Sequence, residues 1–330
     1  MLITAPTRPR QFRDTAAVAI NSLGVTSFTF ALPFLLYIIF KKIKSKRRRA
    51  VALSLLAVAI FVGLPKKSRF KLKRDEILKW QIWERFLHYL QVSVVDDSCS
   101  TFAQMKNEQK IIAMVPHGIL PWGIALPSVS GRLQSAFAPF RPIIATATSY
   151  IPILGSILEA VGAVDATRAN VDAVLTNTTD SVAVCPGGIA EMFATTPNKQ
   201  QEFALLNDRK GFVRMAIRHR LPIVPVYIFG SSRLMRRLPI PGLELLSKLL
   251  KISLIAMYGR MGLPVPFPVR LLYVIGRPLL ASARRNVDSE STLDELTDEI
   301  HGEYCSEISR IFEEHKHSYE DWGDKKLTLI

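Results

Sequence analysis

Cysteine is scarce in this 330-residue chain: Cys99, Cys185 and Cys305 are the only three. They are far apart, odd in number and form no Cys-x-x-Cys pair. Neither a disulfide framework nor a cysteine-based zinc site is therefore expected. Other signatures are missing too. There is no Gly-x-Ser-x-Gly elbow of an α/β-hydrolase, no Gly-x-x-x-x-Gly-Lys-Ser/Thr phosphate loop, and no His-Glu-x-x-His zinc helix. The chain has no internal repeat. Acidic residues are nearly absent from the first 74 positions, where Asp14 stands against 16 Lys and Arg; the remainder carries 27 of each sign. A nucleic-acid-binding chain would interleave its basic residues with readout elements. Here they flank apolar runs instead, and no nucleic-acid partner is expected.

Those runs lie at 15–40, with no charged residue, and at 50–64, again uncharged. About 20 apolar residues cross a bilayer. Between the two runs, 41–49 holds seven positive charges, and 66–74 after them holds six. Basic clusters stay on the cytosolic side beside anionic lipid. Residues 1–74 are thus expected to be a basic membrane anchor, either a re-entrant hydrophobic hairpin or a single span over 15–40. Pro33 would kink a helix there. The apolar stretch is too long for a cleaved signal peptide.

Residues 75–330 are expected to form one catalytic domain. The segment 77–95 is amphipathic and aromatic, and its spacing predicts a core-facing helix. Short apolar runs at 110–115, 142–147, 181–185, 221–229 and 269–275 read as strands, with helices at 211–219 and 292–315. This alternation predicts an α/β fold with a mixed or parallel sheet.

Three places can carry chemistry. His117 directly follows a strand, in a loop rich in proline and glycine, where α/β folds put functional groups; a structural loop histidine is the alternative. In Cys185-Pro-Gly-Gly-Ile-Ala-Glu191, two glycines permit close backbone approach, and Glu191 is either a functional acid or a helix-start acid facing the dipole. Arg209, Lys210, Arg214 and Arg218 are either a phosphate site or a solvated basic helix face.

In this order and spacing the three resemble the type-2 diacylglycerol acyltransferase family, which includes monoacylglycerol and wax-alcohol acyltransferases. Pro116-His117-Gly118 matches the core of its His-Pro-His-Gly motif. Gly187-Gly188-Ile-Ala-Glu191 matches its Gly-Gly-x-x-Glu block. The stretch from Arg209-Lys210-Gly211-Phe212 through 223–230 matches its longest signature. Tyr258–Pro268 resembles its loop rich in glycine and proline, and 312–319 its C-terminal helix. Two positions depart. Val115 stands where the family's first histidine is usual. Trp122 stands where the wider glycerolipid acyltransferase superfamily has an aspartate five places after the histidine.

The resemblance implies a glycerolipid-acyltransferase-like domain that transfers an acyl group from acyl-CoA to a lipid hydroxyl, most simply diacylglycerol, giving triacylglycerol. His117 would be the general base. Glu191 would replace the missing aspartate as the group orienting it. Pro116, Gly118, Arg168, Gly187, Gly188, Arg209, Lys210, Gly211 and Phe212 would hold substrate. No metal or bound cofactor is implied, because acyl-CoA is a co-substrate and already activated. The implied setting is the endoplasmic reticulum membrane, catalytic domain to the cytosol, with lipid droplets as a second address. The sequon at Asn177 would then stay unglycosylated. Monoacylglycerol or a long-chain alcohol remains open as acceptor, as does the oligomeric state. A lysophospholipid acyltransferase and an inactive lipid-binding scaffold of the same fold are the rival readings.

Overall fold

The computed structural model describes residues 3–4, 6, 9–22, 39–63, 72–151, 154–194, 200–238, 255–280, 289–320 and 322–330. Among the described residues there are twelve strands: β1 (Ser93–Asp96), β2 (Ile111–Val115), β3 (Phe140–Ile144), β4 (Val164–Asp165), β5 (Ser181–Val184), β6 (Gln201–Ala204), β7 (Pro222–Phe229), β8 (Arg236–Arg237), β9 (Met257–Tyr258), β10 (Leu272–Ile275), β11 (Leu279–Leu280) and β12 (Lys326–Leu329). The helices used below are α1 (Lys46–Gly63), α2 (Gln81–Tyr89), α3 (Trp122–Val129), α4 (Gly131–Phe137), α5 (Arg168–Asn177), α6 (Gly188–Ala194), α7 (Gly211–His219) and α8 (Glu290–His315).

The main sheet runs β1-β10-β7-β2-β5-β3-β4, and β11 also pairs with β7. β7, β2, β5, β3 and β4 are mutually parallel; β10 is antiparallel to β7, and β1 is parallel to β10. β2 and β7 are buried along their whole length, which is why both read as unbroken apolar runs rather than alternating ones. Pro225 survives inside β7 because it lies where that strand's antiparallel partner breaks between β10 and β11.

Side chains alternate between two cores. Ile112, Met114, Val224, Val226 and Ile228 meet α2, α3 and α4 on one face. Ile111, Ala113, Val115, Ile223, Tyr227 and Phe229 meet α5, α7 and α8 on the other. The result is three layers, helices on both sides of the sheet. α8 buries Leu293, Leu296, Ile300, Tyr304, Ile308, Ile311 and Phe312, the i, i+3, i+4 stripe of a helix on a core. Its first turn is capped by the Ser289 hydroxyl, which accepts from Thr292 N–H at 3.2 Å.

The five expected strands are all present, the second displaced to Phe140–Ile144. The expected helix over 77–95 is corrected. It breaks into Arg74–Leu78 and α2, and Ser93–Asp96 is instead the edge strand β1. Gln91 takes a positive φ of 47°, which ends the helix, and the β-branched Val92, Val94 and Val95 follow, suited to a strand.

Contacts cross the boundary between 1–74 and the body. Ile3 bridges to Val94, Asp14 pairs with Arg85 at 3.1 Å, and Val18 is fully buried. Of the two apolar runs, 23–38 and Leu64 lie outside the described residues. The second run forms most of α1, whose first turn carries Lys46–Arg49. Among the described residues no helix is long and apolar enough to cross a membrane.

A small parallel pair, β6 with β12, closes the C-terminal segment onto the body. Lys325 and Glu202 are both buried and pair at 2.5 Å, and the Ser232 hydroxyl donates to the other carboxylate oxygen at 2.6 Å. One ion pair thus joins β6, the approach to β12 and the end of β7. Removing one partner of a buried pair strands the other charge, at a cost of about 3–5 kcal/mol. Lys325→Met is expected to lower the midpoint of unfolding strongly in detergent solution. Lys325→Met with Glu202→Leu is expected to recover much of that loss.

Candidate active site

β2, β5 and β7 are adjacent and parallel, so their C-terminal ends meet along one edge of the sheet, where open α/β sheets place ligands. His117 leaves the end of β2. Its Nδ1 lies 2.7 Å from the Gly118 carbonyl oxygen. A carbonyl has no proton to give, so Nδ1 carries the hydrogen and donates it. The neutral ring then keeps its lone pair on Nε2. Burial pushes the His117 pKa below the ordinary histidine value, with the Gly118 bond acting weakly the other way. The ring is therefore a neutral base at physiological pH. At Nδ1 the ring is held by the Gly118 carbonyl.

Gly118 has φ +69°, and a Cβ there would stand 2.8 Å from the Ser231 carbonyl oxygen and 3.0 Å from its hydroxyl. Only glycine meets both conditions. Ser231 follows β7 and is buried, so this contact seats the β2 loop on the end of β7.

The second loop is built around Glu191. A Cβ on Gly187 would fall 1.9 Å from Glu191 Oε2, so the carboxyl occupies the place a side chain at 187 would take. Gly188 has φ +53° with nothing near its Cβ position, so its requirement is conformational alone. Glu191 is fully buried. Burial raises its pKa to about 8, against the opposing pull of the His117 main-chain N–H and the Arg209 charge. At neutral pH it is mainly a protonated, hydrogen-bonding acid. Cys185 at the end of β5 is not a nucleophile: burial and Glu191 push its thiol well up.

The basic residues divide. Lys210 pairs with Asp298 at 2.8 Å, Arg214 with Asp294 at 2.9 Å and with Glu290, and Arg218 with Glu290 at 3.3 Å. The basic face of α7 is thus matched by the acidic face of α8. Arg209 stands outside this ladder, and its charge acts on Glu191. Gly211 opens α7 with free space around its Cβ position. Phe212 is buried on α8, 4.9 Å from the Tyr304 ring. Arg168 begins α5 at the β4 edge, two strands from β5, largely exposed and 3.6 Å from Asp172. Pro116 is buried beneath the His117 loop.

The structure thus brings together Pro116, His117, Gly118, Gly187, Gly188, Glu191 and Arg209, and sets Lys210, Phe212 and Arg168 apart in packing or pairing roles. Ser231 was missed in the sequence. Its signal was the glycine after a buried strand, Phe229-Gly230-Ser231, the same strand-to-loop sign that marks His117. Among the described residues, Asp97, Glu314 and His315 could converge on a metal ion. The Arg310 guanidinium, 2.8 Å from Asp97 and 2.5 Å from Glu314, already supplies the cation there.

Residues 43–330 match the family described as diacylglycerol acyltransferase. The chain belongs to that family. It is an acyltransferase of this group. Relatives include diacylglycerol O-acyltransferase 2-like protein 6 of Bos taurus, 27% identical over 77% of this chain and 79% of that one. Acyl-CoA wax alcohol acyltransferase 1 of Mus musculus is 24% identical over 78% and 80%. 2-Acylglycerol O-acyltransferase 1 of Bos taurus is 27% identical over 75% and 76%. A solved structure, the 1-acyl-sn-glycerophosphate (LPA) acyltransferase PlsC of Thermotoga maritima, aligns with a TM-score of 0.45 at 15% identity, covering 91% of this chain and 97% of that one.

Gly187→Ala is expected to displace Glu191 and abolish activity with a clear loss of thermal stability, whereas Gly211→Ala is tolerated; thermal unfolding and acyl transfer on both variants check this. Glu191 also sets a pH dependence of stability. Between its unfolded value of about 4.5 and its folded value of about 8, the native state holds a proton the unfolded state lacks. Stability therefore falls as pH rises through that window. Glu191→Gln is expected to flatten this slope in a thermal-unfolding series.

Proposed function

We propose that this chain is an acyl-CoA-dependent O-acyltransferase whose acceptor is diacylglycerol and whose product is triacylglycerol. The observation carrying the reading is His117, whose Nδ1 is committed to the Gly118 carbonyl, which leaves Nε2 as the basic atom, and whose main-chain N–H is held by the buried Glu191 carboxyl. The acceptor hydroxyl gives its proton to Nε2 as its oxygen attacks the thioester carbonyl. The tetrahedral oxyanion collapses, the C–S bond breaks, and the imidazolium returns its proton to the departing CoA thiolate. No metal is required, since the thioester is activated already.

Gly188 N–H is used in its own turn, donating to Cys185 O at 3.1 Å. The Gly118 and Gly187 N–H groups are then the candidate oxyanion donors. Glu191 acts on the His117 main chain as a neutral positioning acid. Arg209 is the cation left for the CoA phosphates, in place of the whole basic face of α7. The anchor sequence 1–74 holds the body at the endoplasmic reticulum membrane with both basic clusters cytosolic, on the side where acyl-CoA is dissolved. Because relatives named for 2-acylglycerol and wax alcohol stand at nearly the same identity, monoacylglycerol or a long-chain alcohol is the second acceptor reading.

The test is an assay on microsomes from a host without neutral-lipid acyltransferases, given labelled oleoyl-CoA with diacylglycerol, monoacylglycerol, hexadecanol or lysophosphatidate. Triacylglycerol is expected from the wild type. His117→Ala is expected to lose roughly 10²–10⁴-fold, the range of a general base, at equal protein level. The wild-type rate should rise with pH through a value below the ordinary histidine range. Product from another acceptor changes the substrate, and no product from any acceptor with protein in the membrane defeats the reading.

A further inference from the structure

The loop from Tyr258 to Pro268 is matched to the family but has no part in the site. It is a closed, rigid turn. Gly259 N–H donates to Leu263 O at 2.6 Å, Arg260 N–H donates to Val265 O at 2.8 Å, and a Cβ on Gly259 would sit 1.9 Å from Val265 O. At its tip Met261 is held at φ 57°, a left-handed conformation unfavourable for a side chain of this kind, and is 72% exposed. Leu263 beside it is exposed as well. A fold that uses strained backbone to hold a long apolar side chain in water is holding it for something.

Neighbouring segments extend the surface. β8 and β9 pair through Arg236 and Tyr258, and Leu238 N–H donates to Ala256 O at 2.8 Å, placing exposed Leu238 on the same hairpin. Arg260 Nη1 donates to Thr15 Oγ1 at 3.3 Å, and Tyr89, which donates to Pro266 O at 2.7 Å, accepts on its own carbonyl from Arg10 Nε at 2.8 Å. The loop is thereby stitched to the helical stretch 12–22, whose outward face carries Phe12, 86% exposed, and Ile20, 73% exposed. Across 9–22, 233–238 and 255–270 there are seven arginines, of which Arg233 pairs with Glu320 at 3.4 Å, and one acid, Asp14, which is buried against Arg85. Apolar tips ringed by arginine match one partner in charge and polarity, an anionic bilayer surface.

The geometry points to a lipid-docking surface centred on the catalytic body, made by Met261, Leu263, Leu238, Arg236 and Arg260 with Phe12 and Arg13 packed beside them, and separate from the two uncharged apolar runs at 15–40 and 50–64. Ser231, which seats the His117 loop, lies five residues before β8. Docking through this hairpin therefore brings the active-site edge of the sheet to the membrane, where a lipid acceptor is dissolved. Its kinetic consequence rests on the acyltransferase reading above; the contact with lipid does not.

The test uses the full chain in vesicles of phosphatidylcholine with phosphatidylserine. Bimane is attached at Met261→Cys, in a Cys99→Ser background, with Ser306→Cys on exposed α8 as control. Quenching by shallow brominated lipid is expected at 261, weakened when phosphatidylserine is omitted, and absent at 306. Equal solvent exposure at the two positions overturns the proposal. Shielding of 261 that follows protein concentration, and not vesicles, puts a second copy there and overturns it too. In the kinetic arm, Met261→Asp with Leu263→Asp is expected to lose at least several-fold in rate on vesicle-borne diacylglycerol and little on a water-soluble short-chain diacylglycerol. Equal loss on both, or loss on neither, counts against it. If the wild type turns over neither acceptor, the acyltransferase reading fails, and the bimane result alone decides the surface.

Discussion

β2 is buried on both faces and paired in parallel with β5 on one side and β7 on the other. Everything chemical in this chain follows from that pairing. It sets three strand ends side by side, so loops far apart in sequence deliver His117, Glu191 and Ser231 to one edge. It also bears on the glycines. Gly118 must pass the Ser231 carbonyl, and Gly187 must leave room for the Glu191 carboxyl. The demand on Gly118 comes from the neighbouring strand end and from its own φ of +69°, that on Gly187 from the carboxyl of its own loop, and that on Gly188 from its φ of +53° alone.

A buried carboxyl beside a buried histidine suggests an anion stabilising an imidazolium. Magnitude argues otherwise here. Burial raises Glu191 to about 8, so ionising it near pH 7 works against its surroundings. The ring meanwhile has its tautomer fixed by a neutral carbonyl one residue away. The His117 ring is thus oriented without an aspartate five places on, where Trp122 stands instead, 4.9 Å from the Phe86 ring in the core. What such a site gives up is anionic stabilisation of the imidazolium. For thioester acyl transfer this is a small loss, because a thiolate is a weaker base and a better leaving group than an alkoxide and departs with little need of a proton from the imidazolium.

Much of this was legible before the structure, for a physical reason. His117 and the Gly187–Glu191 block are local, strand-to-loop signals, and the central strands are unbroken apolar runs that no helix period explains. Ser93–Asp96 was read as helix because the apolar positions of 77–95 suit either period, and the break at Gln91 lies in a backbone angle rather than a residue type. Arg214 and Arg218 looked equally fit for phosphate or for solvent. Their partners, Glu290 and Asp294, come from a helix over seventy residues later, and no spacing rule reaches that far. The pairing of Glu202 with Lys325 was hidden in the same way. Residues 288–330 carry 13 acids against four bases, which points to a basic surface for them to meet but not to the residues on it.

The same arithmetic separates the two kinds of basic residue in this protein. Those on α7 are matched by α8 and hold the second layer of helices together. Arg13 and Arg236 are exposed near exposed apolar side chains, and Arg10 and Arg260 hold Tyr89 O at 2.8 Å and Thr15 Oγ1 at 3.3 Å beside them. Surface ion pairs contribute little each, so the α7–α8 ladder is chiefly a device of register, keeping the start of α7 and Arg209 fixed relative to Glu191. Arginines around an apolar tip have the opposite character: in water they gain nothing from one another, and at an anionic interface each gains about 1 kcal/mol. A fold that neutralises one basic face internally and leaves another open has sorted its charge by destination, one set for its own packing and one for the surface from which its substrate comes.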